Sequence, residues 1–414
     1  MRFLPMVVLP LAALAGLAAF RHPVPATAPA CDADIGQLTL PKGFCATVFA
    51  SLKGVRHVAV AANGDVFASG AQGGVTVLRD RTHSGHADST VSWGGAPTGT
   101  GIAIGADAIY FAPNDRVIRY SWKPGSMTPS DQGTVVVGGL PANGNHRAKT
   151  LTLSTDGKWI YVDHGSATNA CQLIDRKLGE PGQNPCPELV NRAGTWRYDA
   201  TKSNQAIADG ERWTTGARNG MAIAIDPATG ALWGISHGRD DVSRAFGGTQ
   251  EQNAELPAEE FGSYAKGSDY GWPYCYYDGL THQKKLAPEY GGDGIKQGDC
   301  GSKTQPIIAF PAHWAPMQLN FAPRQNAFGP AYADGAWLAF HGSWDRSPSP
   351  QAGYRIVFVP FKGGKPVGTY TTFADGTAGA LKLSGVAMAP DGSALYIASD
   401  IAGKIWRVIP TTSR

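Results

Sequence analysis

Apolar and polar residues alternate in short runs along this chain. Six times the alternation breaks at a turn built on Gly, Asp or Asn and resumes in a strand rich in aromatic and β-branched residues. The copies read HVAVAANGDVFAS from His57, GIAIGADAIYFAP from Gly101, TLTLSTDGKWIYV from Thr150 and MAIAIDPATGALWGIS from Met221. A looser copy, LNFAP followed by ADGAWLAFHGS, runs from Leu319 to Ser343, and GVAMAPDGSALYIAS begins at Gly385. A period of two marks a half-buried strand, and a Gly-containing turn supplies the positive φ that a tight hairpin needs. Hairpins recurring every forty residues or so predict a β-propeller with one unit per blade. Six copies therefore predict an all-β fold, a six-bladed β-propeller. Its ring encloses a central well where polar groups distant in sequence converge on one small ligand.

Composition agrees. With 53 Gly, 29 Pro and 17% charged residues, the chain is turn-rich and poor in the residues that fill long helices. No low-complexity linker interrupts the repeats, so residues 31–414 are predicted to form a single propeller. The first thirty residues read as a secretory signal: Arg2 precedes an apolar run from Leu4 to Phe20, and Ala28-Pro29-Ala30 offers a small-residue cleavage site. The run is too short for a comfortable membrane span, which predicts a periplasmic or secreted protein with no stable membrane insertion. Lipidation at Cys31 is the disfavoured alternative, because Ala28 and Pro29 depart from the pattern that lipidation prefers. Loss of the leader with Arg2 and Arg21 takes the formal charge from +3 to about +1, which excludes a nucleic acid or anionic membrane as an evident partner.

Six cysteines in an exported chain imply disulfides. Fifteen pairings exist; the local set, Cys31 with Cys45, Cys171 with Cys186 and Cys275 with Cys300, is favoured because each pair brackets an irregular Pro- or Gly-rich stretch. No two cysteines have zinc-site spacing, no c-type haem motif is present, and Gly99-Thr100-Gly101 has the wrong spacing for a dinucleotide fingerprint.

Several insertions between the hairpins carry distinctive blocks: Arg218-Asn219, Tyr270-Gly271-Trp272-Pro273 and His341-Gly342-Ser343-Trp344. With these blocks the chain, from LPKGFCATVFA at Leu40 to GKIWRVIP near the C-terminus, resembles the soluble pyrroloquinoline quinone (PQQ)-dependent sugar dehydrogenases, in particular the sorbosone dehydrogenase-like and aldose sugar dehydrogenase branch. The resemblance implies a propeller holding PQQ in the well, a Ca²⁺ ion on the quinone, and a His that takes a proton from a sugar hydroxyl as hydride passes to the quinone. It also implies an external electron acceptor, a cytochrome or a quinone.

Under that resemblance His146 is the candidate base, since an imidazole titrates near neutrality and general-base catalysis is worth about 10²–10⁴-fold. Arg218 is a candidate catalytic and cofactor-binding residue. Asn219, Arg346 and Lys382 join it as candidate cofactor contacts, because three carboxylates on PQQ call for charge-assisted donors. Lys382 stands where the family more often has Arg. The turn Ser236-His237-Gly238-Arg239 matches the one whose carbonyls hold the ion, which makes Gly238 and Arg239 the candidate metal ligands; Ca²⁺ favours such hard oxygen donors. Glucose-oxidising relatives orient the base with an Asp. Here Ser166 is expected in that place, with Asp163 and His164 as departures. Asp240-Asp241 and Glu259-Glu260 are read as solvated loop charges in preference to a further ion site. Trp272 is assigned to the core, and Trp344 suits stacking or core alike. Two rival functions stand beside the dehydrogenase: a Ca²⁺-dependent lactonase or hydrolase, needing side-chain carboxylates around the ion, and a non-catalytic sugar-binding propeller.

Overall fold

A computed structural model describes residues 1, 31–70, 73–95, 98–411, so the expected signal segment lies outside the described residues. Each of the six sequence repeats forms the two inner strands of one antiparallel sheet, and six such sheets make a six-bladed β-propeller. Blade 1 comprises Val55–Val60, Val66–Gly70, Val75–Arg79 and Ser89–Trp93, and blade 2 comprises Gly99–Ile104, Ala108–Pro113, Arg116–Ser121 and Thr134–Gly138. Blade 3 is built from Leu151–Leu153, Trp159–His164, Gly194–Asp199 and Glu211–Arg212, and blade 4 from Ala222–Ile225, Leu232–Ser236, Glu259–Ser263 and Ile308–Phe310. Blade 5 holds Pro316–Phe321, Gly335–Phe340, Arg355–Lys362 and Thr371–Asp375. Blade 6 takes Leu383–Met388, Leu395–Ser399 and Lys404–Pro410, and borrows its fourth strand, Phe44–Ser51, from the N-terminal end. That strand runs antiparallel to the last one, from Phe44 opposite Pro410 to Ser51 opposite Lys404, and so closes the ring.

The alternation serves contacts between blades. One apolar cluster sits at each of the six blade interfaces. Phe67 and Val77 of blade 1 pack with Phe111 and Ile118 of blade 2, and Trp337 and Phe358 of blade 5 pack with Ile397 and Trp406 of blade 6. A strand buried on both faces tolerates few charges, so chemistry is confined to the loops at the ring's mouths. The three local disulfides that the sequence favours are present: Cys31–Cys45 ties the segment before the closing strand to that strand, and Cys171–Cys186 and Cys275–Cys300 brace loop insertions. The first of these joins the Cys31 sulfur to Cys45. Among the described residues no helix is long and apolar enough to cross a membrane. Trp272 is buried, with its indole N–H on the Asn169 carbonyl, and belongs to the core as expected. Trp344 is 66% exposed.

Candidate active site

One mouth of the ring opens into a cavity of about 720 Å³ lined by loops of blades 1 to 5, among them Arg56, Asn145, His146, Arg147, Asn219 and His237. Its wall is a lateral ladder of backbone hydrogen bonds. The His146 amide donates to the Ser166 carbonyl (3.2 Å), the Ser166 amide to the Arg218 carbonyl (2.8 Å), and the His237 amide to the Asn219 carbonyl (3.0 Å). Close approach is what makes the ladder fit: a Cβ on Gly165 would meet the His146 Cβ at 2.5 Å, and one on Gly220 would meet the Asp163 Oδ1 at 2.6 Å. A fully buried lysine supports the His146 loop from below, Lys149 Nζ donating to the carbonyls of Pro141 (2.8 Å) and Arg147 (2.7 Å).

The ring of His146 is fixed by Ser166. Nδ1 lies 3.0 Å from the Ser166 carbonyl and 2.9 Å from its hydroxyl, and that hydroxyl donates to the Thr168 carbonyl at 2.7 Å. A carbonyl only accepts, and the hydroxyl proton is already committed, so Nδ1 must carry the proton and Nε2 the lone pair. The imidazole is held well below its ordinary pKa, first by burial, then by the Arg218 charge and by His237. It is therefore neutral at physiological pH, a proton acceptor on the wall of the well.

Ser166 thus occupies the orienting position, while Asp163 and His164 face elsewhere. Asp163 accepts the Gly220 amide at 3.0 Å, and His164 stacks on Trp196 at 4.4 Å with Nδ1 near the Asn191 carbonyl. Asn219 is among the residues that line the well, and its side-chain Oδ1 is buried with no hydrogen-bond partner. Such an orphan is costly unless a ligand supplies a donor.

The expected cations fall differently. Arg218 is buried, and its guanidinium bonds the Asn169 side chain (2.9 Å), the Gly238 carbonyl (2.9 Å) and Asp240 (3.3 Å), so it braces the Gly238 turn from within. Arg346 lies outside the well. It pairs with Glu255 and bonds the carbonyls of Ala254 (2.5 Å), Ala312 (3.3 Å) and Pro350 (3.1 Å), and it is not among the residues that line the well, where a cofactor contact was expected. The cause is local: the carbonyls at the end of the short helix Gln250–Glu255 need a donor, and Arg346 is within reach. Lys382 rests on the carbonyls of Gly342 (3.4 Å) and Ser343 (3.2 Å) and above the Tyr354 ring, again outside the lining. The cations that do line the well are Arg56 and Arg147, neither flagged by a motif. Only position on the loop beside His146 could have suggested Arg147.

At the metal turn, the Gly238 amide donates to Glu259 (2.7 Å) and its carbonyl accepts Arg218, leaving that oxygen one lone pair for a cation. The Arg239 side chain turns away to Glu289, so any ligation there would use its backbone carbonyl. The reading of Glu259, Glu260 and Asp240 as solvated charges is corrected. Glu259 is buried on the amides of Gly238 and Ala315 and is pushed up to about 8 by burial. Glu260 pairs with the buried Lys284, and Asp240 sits between Arg176 and Arg218, whose charges outweigh burial and hold it below its ordinary value.

A model of the TrAA12-like family matches residues 38–411. The chain is similar to a pyrroloquinoline quinone-dependent sugar dehydrogenase of Hypocrea jecorina, 25% identical over 268 residues that span 59% of this chain and 58% of that protein. It is also similar to a pyrroloquinoline quinone-dependent pyranose dehydrogenase of Coprinopsis cinerea, 24% identical over 336 residues, or 70% of this chain and 43% of the other. The chain spans about half the length of these curated relatives, 58% and 43%. Among solved structures, the calcium structure of a Trichoderma reesei family AA12 enzyme superposes with a TM-score of 0.75 at 21% identity, covering 94% of this chain and 99% of that one. The holo form of the Coprinopsis cinerea pyranose dehydrogenase PQQ domain gives 0.75 at 19%, covering 92% and 99%. At such identities these likenesses bear on the fold.

Proposed function

The chain belongs to the TrAA12-like family, and from that premise we propose that it is a PQQ-dependent oxidoreductase that oxidises an aldose or related sugar and passes the electrons to an external acceptor. The observation that carries this reading is His146: a neutral imidazole, locked by Ser166 in the tautomer whose Nε2 accepts a proton, on the wall of a well of about 720 Å³ that Arg56 and Arg147 also line. The residues present fit the cofactor. Arg56 and Arg147 offer donors for carboxylates, the Asn219 Oδ1 lacks a partner, and Met221 and Met317 give the lining apolar surface for a planar ring system. The carbonyls of Gly238 and Arg239 would hold Ca²⁺, a hard cation suited to oxygen donors. Bound PQQ would supply the hydride acceptor. His146 would take the hydroxyl proton at Nε2, Ser166 would keep the ring oriented, and Arg218 would keep the Gly238 turn in place. The exposed indole of Trp344 offers a face for a sugar.

A hydrolase would need side-chain carboxylates converging on a metal in the well, and the described residues that line the well include no Asp or Glu. The reading is tested by adding PQQ and Ca²⁺ to purified protein and following dye reduction over a panel of aldoses. Activity that requires both and disappears with a chelator is expected. Full activity without quinone, or tight NAD binding, overturns it. The reading also places the mature protein outside the cytoplasm, in keeping with its three disulfides.

A further inference from the structure

Asp240, His313 and Asp345 come from three separate loops, yet their ligand atoms lie within 4.8 Å of one another. We propose that this trio is a binding site for a first-row transition cation such as Zn²⁺, separate from the carbonyl position at Gly238. His313 carries the argument. Its side chain is 5% exposed, and Nε2 lies 2.8 Å from the Asn253 carbonyl. Because a carbonyl only accepts, the proton is on Nε2 and the lone pair on Nδ1. Nδ1 has no hydrogen-bond donor and points at the Asp240 Oδ1, 3.9 Å away. A lone pair beside two carboxylates is repulsive unless something positive sits between them. A carbonyl behind the distal nitrogen is also how proteins commonly orient a metal-binding imidazole.

Asp240 is prepared for the same task. Its Oδ2 is held by Arg176 (2.7 Å) and Arg218 (3.3 Å) and its amide by the Asn169 side chain (2.9 Å), which fixes the carboxylate and leaves Oδ1 toward the trio. Asp345 is partly exposed and only loosely held by Asn253, at 3.5 Å, so it provides both the third ligand and an entry path. Ligands about 2.1 Å from one cation stand roughly 3.5 Å apart, which asks Asp345 to close in by about an ångström. The two arginines on Oδ2 offset part of the negative charge, so the site should be of moderate affinity. One imidazole with two carboxylates suits Zn²⁺ or Mn²⁺ better than Ca²⁺ or Mg²⁺, which prefer oxygen alone. The inference does not depend on the quinone reading.

The test is calorimetric titration of chelator-treated full-length protein with Zn²⁺ alone, without PQQ. Wild type is expected to bind one equivalent that saturating Ca²⁺ does not displace. Asp345→Asn and His313→Gln should each weaken it at least about tenfold. Asp345→Asn changes a partly exposed side chain, so it decides the matter if His313→Gln fails to fold. No binding, equal affinity in wild type and Asp345→Asn, or ready displacement by Ca²⁺ would each overturn the site. So would NMR evidence that His313 is an imidazolium at neutral pH in zinc-containing buffer, since a proton would then fill the gap.

Discussion

His146 and Ser166 touch the same reaction through different atoms, and the structure predicts that their removal differs by orders of magnitude. His146→Ala deletes the proton acceptor and should lower kcat by about 10²–10⁴-fold with PQQ binding nearly unchanged. Ser166→Ala deletes one of two acceptors at Nδ1, the hydroxyl at 2.9 Å, and leaves the backbone carbonyl at 3.0 Å to hold the same tautomer. A neutral hydrogen bond contributes about 0.5–1.5 kcal/mol net, so the second loss should be about two- to twelvefold. The assay is steady-state dye reduction with saturating PQQ and Ca²⁺, with PQQ affinity read separately from absorbance. A His146→Ala enzyme turning over at the wild-type rate would place the base elsewhere. A Ser166→Ala enzyme as impaired as His146→Ala would mean that the hydroxyl itself takes part in proton movement.

Because burial, Arg218 and His237 hold the His146 imidazole below its ordinary value, the base form persists as pH falls, and kcat/KM should show no acid limb near pH 6.5; a limb there would refute the neutral base. Arg56→Ala or Arg147→Ala should weaken PQQ binding about tenfold each, discounted for exposure, whereas Arg346→Ala should lower Tm and leave PQQ affinity in place; absorbance titration and thermal melting separate the two. Trp344→Ala should leave Tm unchanged, since its indole is 66% exposed. Replacing Cys171 and Cys186 together by Ser releases a loop of sequence separation 15 and should cost about 3 kcal/mol of stability, measured by denaturant unfolding.

The ring was legible because blade strands repeat a local pattern. Alternation and turn residues are written in thirteen consecutive positions at His57 and again at Thr150, and each copy became an inner hairpin. The motif neighbours brought His146 and Asn219 to the cavity wall and Ser166 beside the His146 ring. The cations were not legible. Arg346 and Arg56 are chemically alike, and only the loops show that one is consumed by the carbonyls of Ala254 and Ala312 while the other lines the well. The acidic pairs misled for the same reason. Nothing local in Asp240-Asp241 distinguishes a solvated pair from a carboxylate enclosed by Arg176, Arg218 and His313, which lie 64, 22 and 73 residues away. Repeats encode pairing at short range, whereas a site assembled from loops depends on contacts that no short window contains.

Asp163 shows what that long-range assembly does to stability. It is fully buried beside the Arg218-Asn219-Gly220 segment, its Oδ2 on the Gly220 amide and its Oδ1 without a partner, and burial pushes it up to about 7 despite Gly220 and Lys149. Its value in the unfolded chain is near 3.8. Between those two pH values the folded protein keeps a proton that the unfolded chain has released, so this group's contribution to stability declines as pH rises from about 4 to about 7 and is level above that. Asp163→Asn is neutral at every pH and keeps an oxygen for the Gly220 amide. The variant should therefore gain stability relative to wild type on going from pH 5 to pH 8, measured as the difference of differences in denaturant unfolding. The buried histidines His57 and His164 and the half-buried His237, all held below the ordinary imidazole value chiefly by loss of water around them, impose an opposite slope at acid pH. They are common to both proteins and cancel in the comparison. Parallel pH profiles would refute a protonated Asp163. A variant less stable than wild type by a constant amount at every pH would mean instead that Asp163 is an ionised partner of Lys149.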